Sequence, residues 1–511
     1  MTSSFTPKSL LVLMLLSWAL LIGDLSRRSL WVDEFLTHEM IQGSWRTVLT
    51  NTSNDIHPPL YFLALHGWTQ LAGDSDFALR WFSIAAGFCA VALMYVMIRR
   101  ALNTSAALFA TLLLGSAPAF IEFSRMARYY SLLLALGLVS TVALQKALQH
   151  DARKYWLVYG AAGLMLVYTF YPSAILLVAQ GVCFVMPTRQ RALLKRWVTV
   201  GVIIALSFSP WFALTTLRQV GNVYANTGVD LARSLLGFGL GIVAGFYTLG
   251  IGETLFPWNP LAFVGAGCIV TLILANIMPF RATQNQRPAS PHAWAYASLF
   301  LISIVSLSFT TTYLAPGTPF LNVPVRGLFT LPFYLALWVS GWQRLPKRAW
   351  AFGLGSLLLV VWSYSLYNYY QGQQFLNPIY LTPAKEAARY VGERLEPNDV
   401  VLSDYDSVFG YYFSPTHATT LHRHTGDPEI ESILQTRKPK RVWLVTIGRD
   451  QSQRLVSGEP TRALLASTYR LSYTQKFLPI DAQYLIIKNF LLNRNSYEFR
   501  LQIELYELRP W

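Results

Sequence analysis

Leu79-Arg-Trp-Phe-Ser-Ile-Ala-Ala-Gly-Phe-Cys-Ala-Val-Ala-Leu-Met-Tyr-Val-Met-Ile98 carries a single charge, Arg80, in its first turn, and Arg99-Arg100 follows it directly. As a helix rising about 1.5 Å per residue, a stretch of this length crosses the roughly 30 Å hydrocarbon core of a bilayer. Working outward, runs of the same kind fall at 10–25, 104–121, 129–148, 155–171, 173–187, 197–214, 258–280, 294–314, 326–342 and 349–366, which makes about eleven transmembrane helices. The composition agrees. The chain is 53% hydrophobic and only 13% charged, about half the charged fraction of a soluble domain. The glycine-rich stretch 235–251 is apolar too, and reads as a re-entrant or interfacial segment.

Charge placement fixes the orientation. With the N-terminus inside, the inner connections carry Arg99 and Arg100; Lys146, Arg153 and Lys154; Arg189, Arg191, Lys195 and Arg196; Arg281 and Arg287; and Arg344, Lys347 and Arg348. Every internal connection is basic, as the positive-inside bias requires. Counting 235–251 as a full span would move Arg344, Lys347 and Arg348 outside. The net charge of +15 is therefore spread over short loops. No basic stripe or zinc-ligand spacing points to nucleic acid.

The acids fall on the other face. Before residue 367 only Asp151 lies on an inner loop, and most of the rest cluster in the first outer loop, 26–78. A second outer loop spans 215–257. After the transmembrane module, 1–366, the composition shifts. Residues 367–511 hold 15 of the 26 acids and read as a soluble extracytoplasmic α/β domain. There Pro383 opens a helix to Leu395, and Asp399–Ser403 and Arg441–Ile447 look like buried strands. The run Leu10–Gly23 has a signal-like start but no clear cleavage site, so it reads as an uncleaved first helix. Cys89, Cys183 and Cys268 all lie in apolar runs and read as small core residues rather than a disulfide framework.

Three groups of residues carry chemistry. Trp31-Val32-Asp33-Glu34 follows the first span directly. On a helix, Asp33 and Thr37 share one face and Glu34 and His38 another, so only one acid of the adjacent pair aims into a cleft. A carboxylate there can act as general base toward an acceptor hydroxyl; by itself the pair equally fits a solvated helix start. Next, Asp55-Ile-His-Pro-Pro59 holds Asp55 and His57 in a proline-fixed turn. His57 can donate to a phosphate oxygen, or be a plain turn residue. Finally Arg80, Arg125, Arg128 with Tyr129, and Arg326 stand on the outer face, against the positive-inside bias. A guanidinium grips phosphate bidentately; a single one equally fits snorkelling to headgroups. No P-loop, GxGxxG, GxSxG, HExxH or CxxC pair is present. No cofactor is implied, and a divalent metal has no clear motif. Lys385-Glu386 and Asp404-Tyr-Asp406 read as surface charge.

Taken together, Trp31-x-Asp-Glu34, His57-Pro-Pro-Leu-Tyr61, Ala78-Leu-Arg80, Ala127-Arg-Tyr-Tyr-Ser131 and, more loosely, Val325-Arg-Gly327 resemble the GT-C glycosyltransferases of the protein O-mannosyltransferase group. That group, glycosyltransferase family 39-like, includes the aminoarabinose transferases of lipid A. Asp55 to Pro59 matches the Asp-x-His-Pro-Pro stretch of the mannosyltransferases; the aminoarabinose transferases have Glu-Lys where this chain has Ile56-His57. The resemblance implies a polyprenyl-phosphate-linked sugar as donor, transfer on the outer face of the membrane, and Asp33 as base. The acceptor would be a glycan, lipid or protein. Displacement by a single base implies inversion at the anomeric carbon. Short loops and one soluble module point to a multi-pass protein of a bacterial inner membrane. A transporter or flippase of lipid-linked sugars is the alternative. It fits the spans and the interfacial arginines, but not acids gathered in one outer loop, and transporters place charges near the midplane of their spans.

Overall fold

The computed structural model describes residues 6–216, 231–277, 291–314, 320–403, 406–413, 421–423, 428–447, 459–479, 484–487 and 499–509. Arg281, Arg287, Asp404 and most of the 215–230 stretch lie outside these residues. The chain forms two compact units. One is Met1–Leu25 with Thr37–Leu376; the other is Ser26–Leu36 with Asn377–Trp511.

The first unit is helical. It opens with α1 (Thr6–Ile22), followed in the first long loop by α2 (Val32–Met40), α3 (Trp45–Ser53) and α4 (Leu60–Ala72). The chain then continues through α5 (Asp76–Ala101), α6 (Thr104–Ser116), α7 (Pro118–Ser124), α8 (Tyr130–His150) and α9 (Arg153–Thr169). Later helices include Arg191–Trp211, Leu231–Ile251, Pro260–Leu274, Pro291–Phe309, Val323–Arg326, Leu331–Arg344 and Arg348–Gln371. Among the described residues the apolar runs of the sequence fall largely on helices, and so does 235–251. Among the described residues, six helices are long and apolar enough to cross a membrane, or up to eight if each bent pair is one span. Lys8–Ile22, Leu235–Ile251 and Pro260–Leu274 are shorter apolar helices.

Local sequence explains the breaks that matter for the site. Ser75 caps α5 by accepting from the Ala78 amide, with Asp76 in the first turn and Arg99 and Arg100 in the last. This arrangement complements the helix dipole at both ends. The run at 104–121, a single span by hydropathy, is two helices bent by 55°. Ala117 is extended there and Pro118 opens α7, because proline cannot continue the donor ladder of α6 but suits a first helical position. The bend delivers residues 125–129 as a short loop ahead of α8. The cysteines are unpaired: Cys268 is buried, Cys183 half-buried, and Cys89 faces outward from α5 instead of filling the core.

The second unit holds a five-stranded sheet in the order β2-β1-β3-β5-β4. Its strands are β1 (Val400–Ser403), β2 (Leu421–Arg423), β3 (Arg441–Ile447), β4 (Tyr469–Pro479) and β5 (Phe499–Leu508). β1 pairs in parallel with β2 and β3, while β5 runs antiparallel to β3 and β4. The two stretches expected to be buried strands are thus the parallel centre, and Pro383 does precede a helix, Ala384–Gly392. One face of the sheet packs Val401, Trp443 and Ile503 with Ala387 and Phe409; the other packs Val400, Leu444 and Tyr506 with Ile430 and Leu465.

The unit boundary differs from the one that composition draws at 366/367. Helix Arg348–Gln371 continues past the apolar run, and the second unit starts at Asn377. That unit also takes Ser26–Leu36 from the loop after α1. Phe35 is buried in its core, the Leu30 amide donates to Tyr412 Oη at 2.7 Å, and the Lys385 amide donates to Ser29 Oγ at 2.9 Å. Helix α2 therefore begins in one unit and finishes in the other.

Candidate functional site

The turn after α3 places Asp55 and His57 side by side. Pro58 and Pro59 fix the backbone ahead of α4, whose first residue is Leu60. His57 Nδ1 lies 2.6 Å from Asp55 Oδ2, and His57 Nε2 lies 3.1 Å from Arg128 Nη2. Arg128 Nη1 donates to Thr37 Oγ1 at 3.1 Å. Arg128 is only 4% exposed, and its guanidinium also lies over the Tyr129 ring at 5.4 Å. The residues singled out as Asp55, His57, Arg128 and Tyr129 thus come together, with Thr37 added.

The backbone around Arg128 is held as firmly as its side chain. Its amide donates to Met126 O at 2.7 Å, a turn closed over three residues. Its carbonyl accepts from Ser83 Oγ at 2.9 Å. Since Ser83 donates there, the 2.9 Å bond between Tyr61 Oη and Ser83 Oγ has the tyrosine as donor. Ser131 Oγ in turn donates to Ser83 O at 2.5 Å. Tyr129 stacks on Phe170 at 5.3 Å and faces His57 at 5.5 Å. Residues of α4, α5 and α8 therefore fix the loop from three sides.

Electrostatics in the cluster favour an ionised Asp55. Partial burial raises its pKa, but the hydrogen bond from His57, the Ile56 amide and the more distant Arg128 act the other way, and the carboxyl is held below its ordinary value.

Arg125 and Arg80 meet main-chain carbonyls. Arg125 Nη1 donates to the carbonyls of Leu20 (3.0 Å), Leu21 (3.1 Å) and Gly23 (2.6 Å), at the C-terminal end of α1. Its Nε donates to Tyr369 Oη at 3.1 Å, and its guanidinium lies over the rings of Tyr369 and Tyr370 at 5.6 and 5.1 Å. Arg80 Nη1 donates to Leu25 O at 2.9 Å. A helix end leaves carbonyls without intrahelical partners, and cations stabilise them. Arg326 ends the short helix Val323–Arg326 and is half-buried; it makes no hydrogen bond or ion pair among the described residues.

Asp33 and Glu34 occupy the first turn of α2. Glu34 is 1% exposed, and its Oε2 accepts from the Trp31 amide at 3.2 Å. It reaches back to the residue before the helix, as the acid of a capping box does. Asp33 is half-buried, and Thr37 stands one turn on along the same helix face. Thr37 and Ser83 were missed as partners of Arg128; the i, i+4 relation of Thr37 to Asp33 was the available signal. Among the described residues no group of three His, Cys, Asp or Glu side chains is placed to hold a metal ion.

An apolar helical module with its polar cluster in the first long loop, followed by an α/β unit, is a membrane-protein fold of the GT-C type. Residues 56–213 match the family model of the dolichyl-phosphate-mannose-protein mannosyltransferases. The chain shares its fold with ArnT from Cupriavidus metallidurans bound to undecaprenyl phosphate, at a TM-score of 0.56 and 13% identity over 97% of each chain. It also aligns with the Archaeoglobus fulgidus oligosaccharyltransferase complexed with zinc and sulfate, at a TM-score of 0.48 and 12% identity, over 98% of this chain and 88% of that one. No curated protein matches the chain in a sequence comparison.

Proposed function

We propose that the protein is a glycosyltransferase that moves a sugar from a polyprenyl-phosphate donor to an acceptor on the extracytoplasmic face of the inner membrane. The observation that carries this reading is Arg128: a buried guanidinium held by side chains of the first outer loop, where a lipid-linked phosphate would arrive. The ArnT of the same fold takes undecaprenyl phosphate, which supports the donor class.

The reaction needs little. The acceptor hydroxyl gives its proton to the Asp33 carboxylate while its oxygen forms a bond to the anomeric carbon. The bond from that carbon to the phosphate oxygen breaks, and polyprenyl phosphate leaves with the electron pair. The donor diester carries one negative charge and the departing monoester carries two. Arg128, with Arg326 as second contact, offsets the charge that develops, and no strong general acid is required. A single displacement inverts the anomeric configuration. Glu34 fixes the start of α2 and so orients Asp33, while Asp55, His57 and Tyr129 organise Arg128. Arg80 and Arg125 hold the end of α1.

Purified protein given a radiolabelled polyprenyl-phosphate sugar should transfer or release the label. The Asp33→Asn variant should lose about a thousandfold in rate, within the usual range for a general base. Unchanged turnover in that variant would remove Asp33 from the chemistry. Movement of the intact donor across vesicles without cleavage would point to a flippase instead.

A further inference from the structure

His57 stands between an acid and a base that never gives up its proton, and this fixes which ring nitrogen carries hydrogen. A guanidinium has five donors, no acceptor, and stays protonated. Its Nη2, 3.1 Å from His57 Nε2, can only donate, so Nε2 presents its lone pair. On the opposite side, Asp55 Oδ2 at 2.6 Å from Nδ1 is an acceptor, so Nδ1 holds the proton. A proton on Nε2 would set N–H against N–H and place a second cation beside the first.

We infer that His57 is a positioning residue: Asp55 locks it as the neutral Nδ1–H tautomer, and its Nε2 lone pair holds the Arg128 guanidinium in place. His57 then does not donate to the substrate phosphate, the role its place in the sequence allowed. Its work is to hold Arg128 together with Thr37, both of them through neutral acceptor atoms. A carboxylate directly on Nη2 would grip more tightly but would neutralise the group meant for phosphate. With the imidazole interposed, the carboxylate of Asp55 acts one ring away.

The inference rests on reading Arg128 as a phosphate contact, and its test separates the two. Full-length protein labelled with [15N]histidine is compared with a His57→Gln variant, which assigns the His57 signals. Near neutral pH the wild type should show a protonated Nδ1 and an unprotonated Nε2. In Asp55→Ala the acceptor that holds the Nδ1 proton is gone, and the Nδ1–H form should be less exclusively populated. A protonated Nε2 in the wild type, alone or with Nδ1, overturns the inference. In kinetics, His57→Ala should raise the KM for the polyprenyl-phosphate donor ~10-fold, the scale of one hydrogen bond to a charged group, with a smaller change in kcat. His57→Gln, whose Oε1 can still accept from Arg128, should recover most of that loss. A His57→Gln variant as impaired as His57→Ala speaks against the tautomer's role. Unchanged transfer in Arg128→Ala breaks the phosphate reading instead, and leaves the nitrogen assignment standing.

Discussion

Arg125 and Arg128 are three residues apart in one short loop, are both buried, and have partners of different kinds. Arg125 gives its hydrogens to three main-chain carbonyls at the end of α1 and to a tyrosine hydroxyl, between two aromatic rings. Arg128 gives its hydrogens to the side chains of Thr37 and His57. Carbonyls at a helix terminus lack intrahelical partners and are fixed in place by the backbone. Side chains can loosen and share a donor with an arriving anion. On the function proposed, what an arginine is bonded to, more than how deeply it is buried, separates a structural cation from one that serves chemistry.

The largest expected effect is on activity at Arg128. Arg128→Ala should reduce sugar transfer about a hundredfold or more, the scale of removing one charge-stabilising donor, while the thermal midpoint in detergent shifts by only a few degrees. Arg125→Ala should do the reverse. It strands buried carbonyls at the end of α1 and should cost about 3 kcal/mol of stability, read as a lower midpoint or loss of folded protein, with activity per folded molecule largely kept. If the two variants behave alike, the division between them fails. Tyr369→Phe keeps the ring under Arg125 but removes one acceptor, and should cost about 1 kcal/mol without changing the donor KM.

The smallest effect concerns pH. The Asp55 carboxyl is held below its ordinary value of 3.8 in the folded chain. Its contribution to stability is therefore complete above that value and is lost only as pH falls from there through the lower folded one. Unfolding followed over mildly acid to neutral pH should show no step removed by Asp55→Asn; any difference between the two proteins should appear at the acid end. A step near neutrality that Asp55→Asn abolishes would mean that another titration controls the cluster.

Much of this was legible in the sequence because it depends on short-range pattern. Hydropathy located the helices, Pro58-Pro59 announced the rigid turn, and Pro383 the helix of the second unit. The Asp-x-His spacing already put Asp55 within reach of His57. The rest depends on partners far along the chain. Nothing near Arg125 hints at carbonyls 102 to 105 residues upstream or a tyrosine 244 residues downstream. Likewise Phe35 looks like any apolar residue on a short helix. Only the fold shows it in a core built from residues 384–503. The bend at Ala117-Pro118 was hidden for another reason: averaged hydropathy runs smoothly across a proline that the hydrogen-bond ladder cannot cross.

The seal on α1 also sets a timetable for biogenesis. Leu20 O accepts from Arg125 and from Tyr370 Oη, the latter at 2.5 Å across 350 residues of sequence. At the pace of a ribosome, roughly 5–20 residues per second, the end of the first helix waits tens of seconds for its last partner. During that interval its carbonyls must be satisfied by water or lipid headgroups at the membrane surface. A helix made early is thus finished late, and truncation before Tyr370 should leave a nascent chain whose α1 carbonyls mark it for quality control.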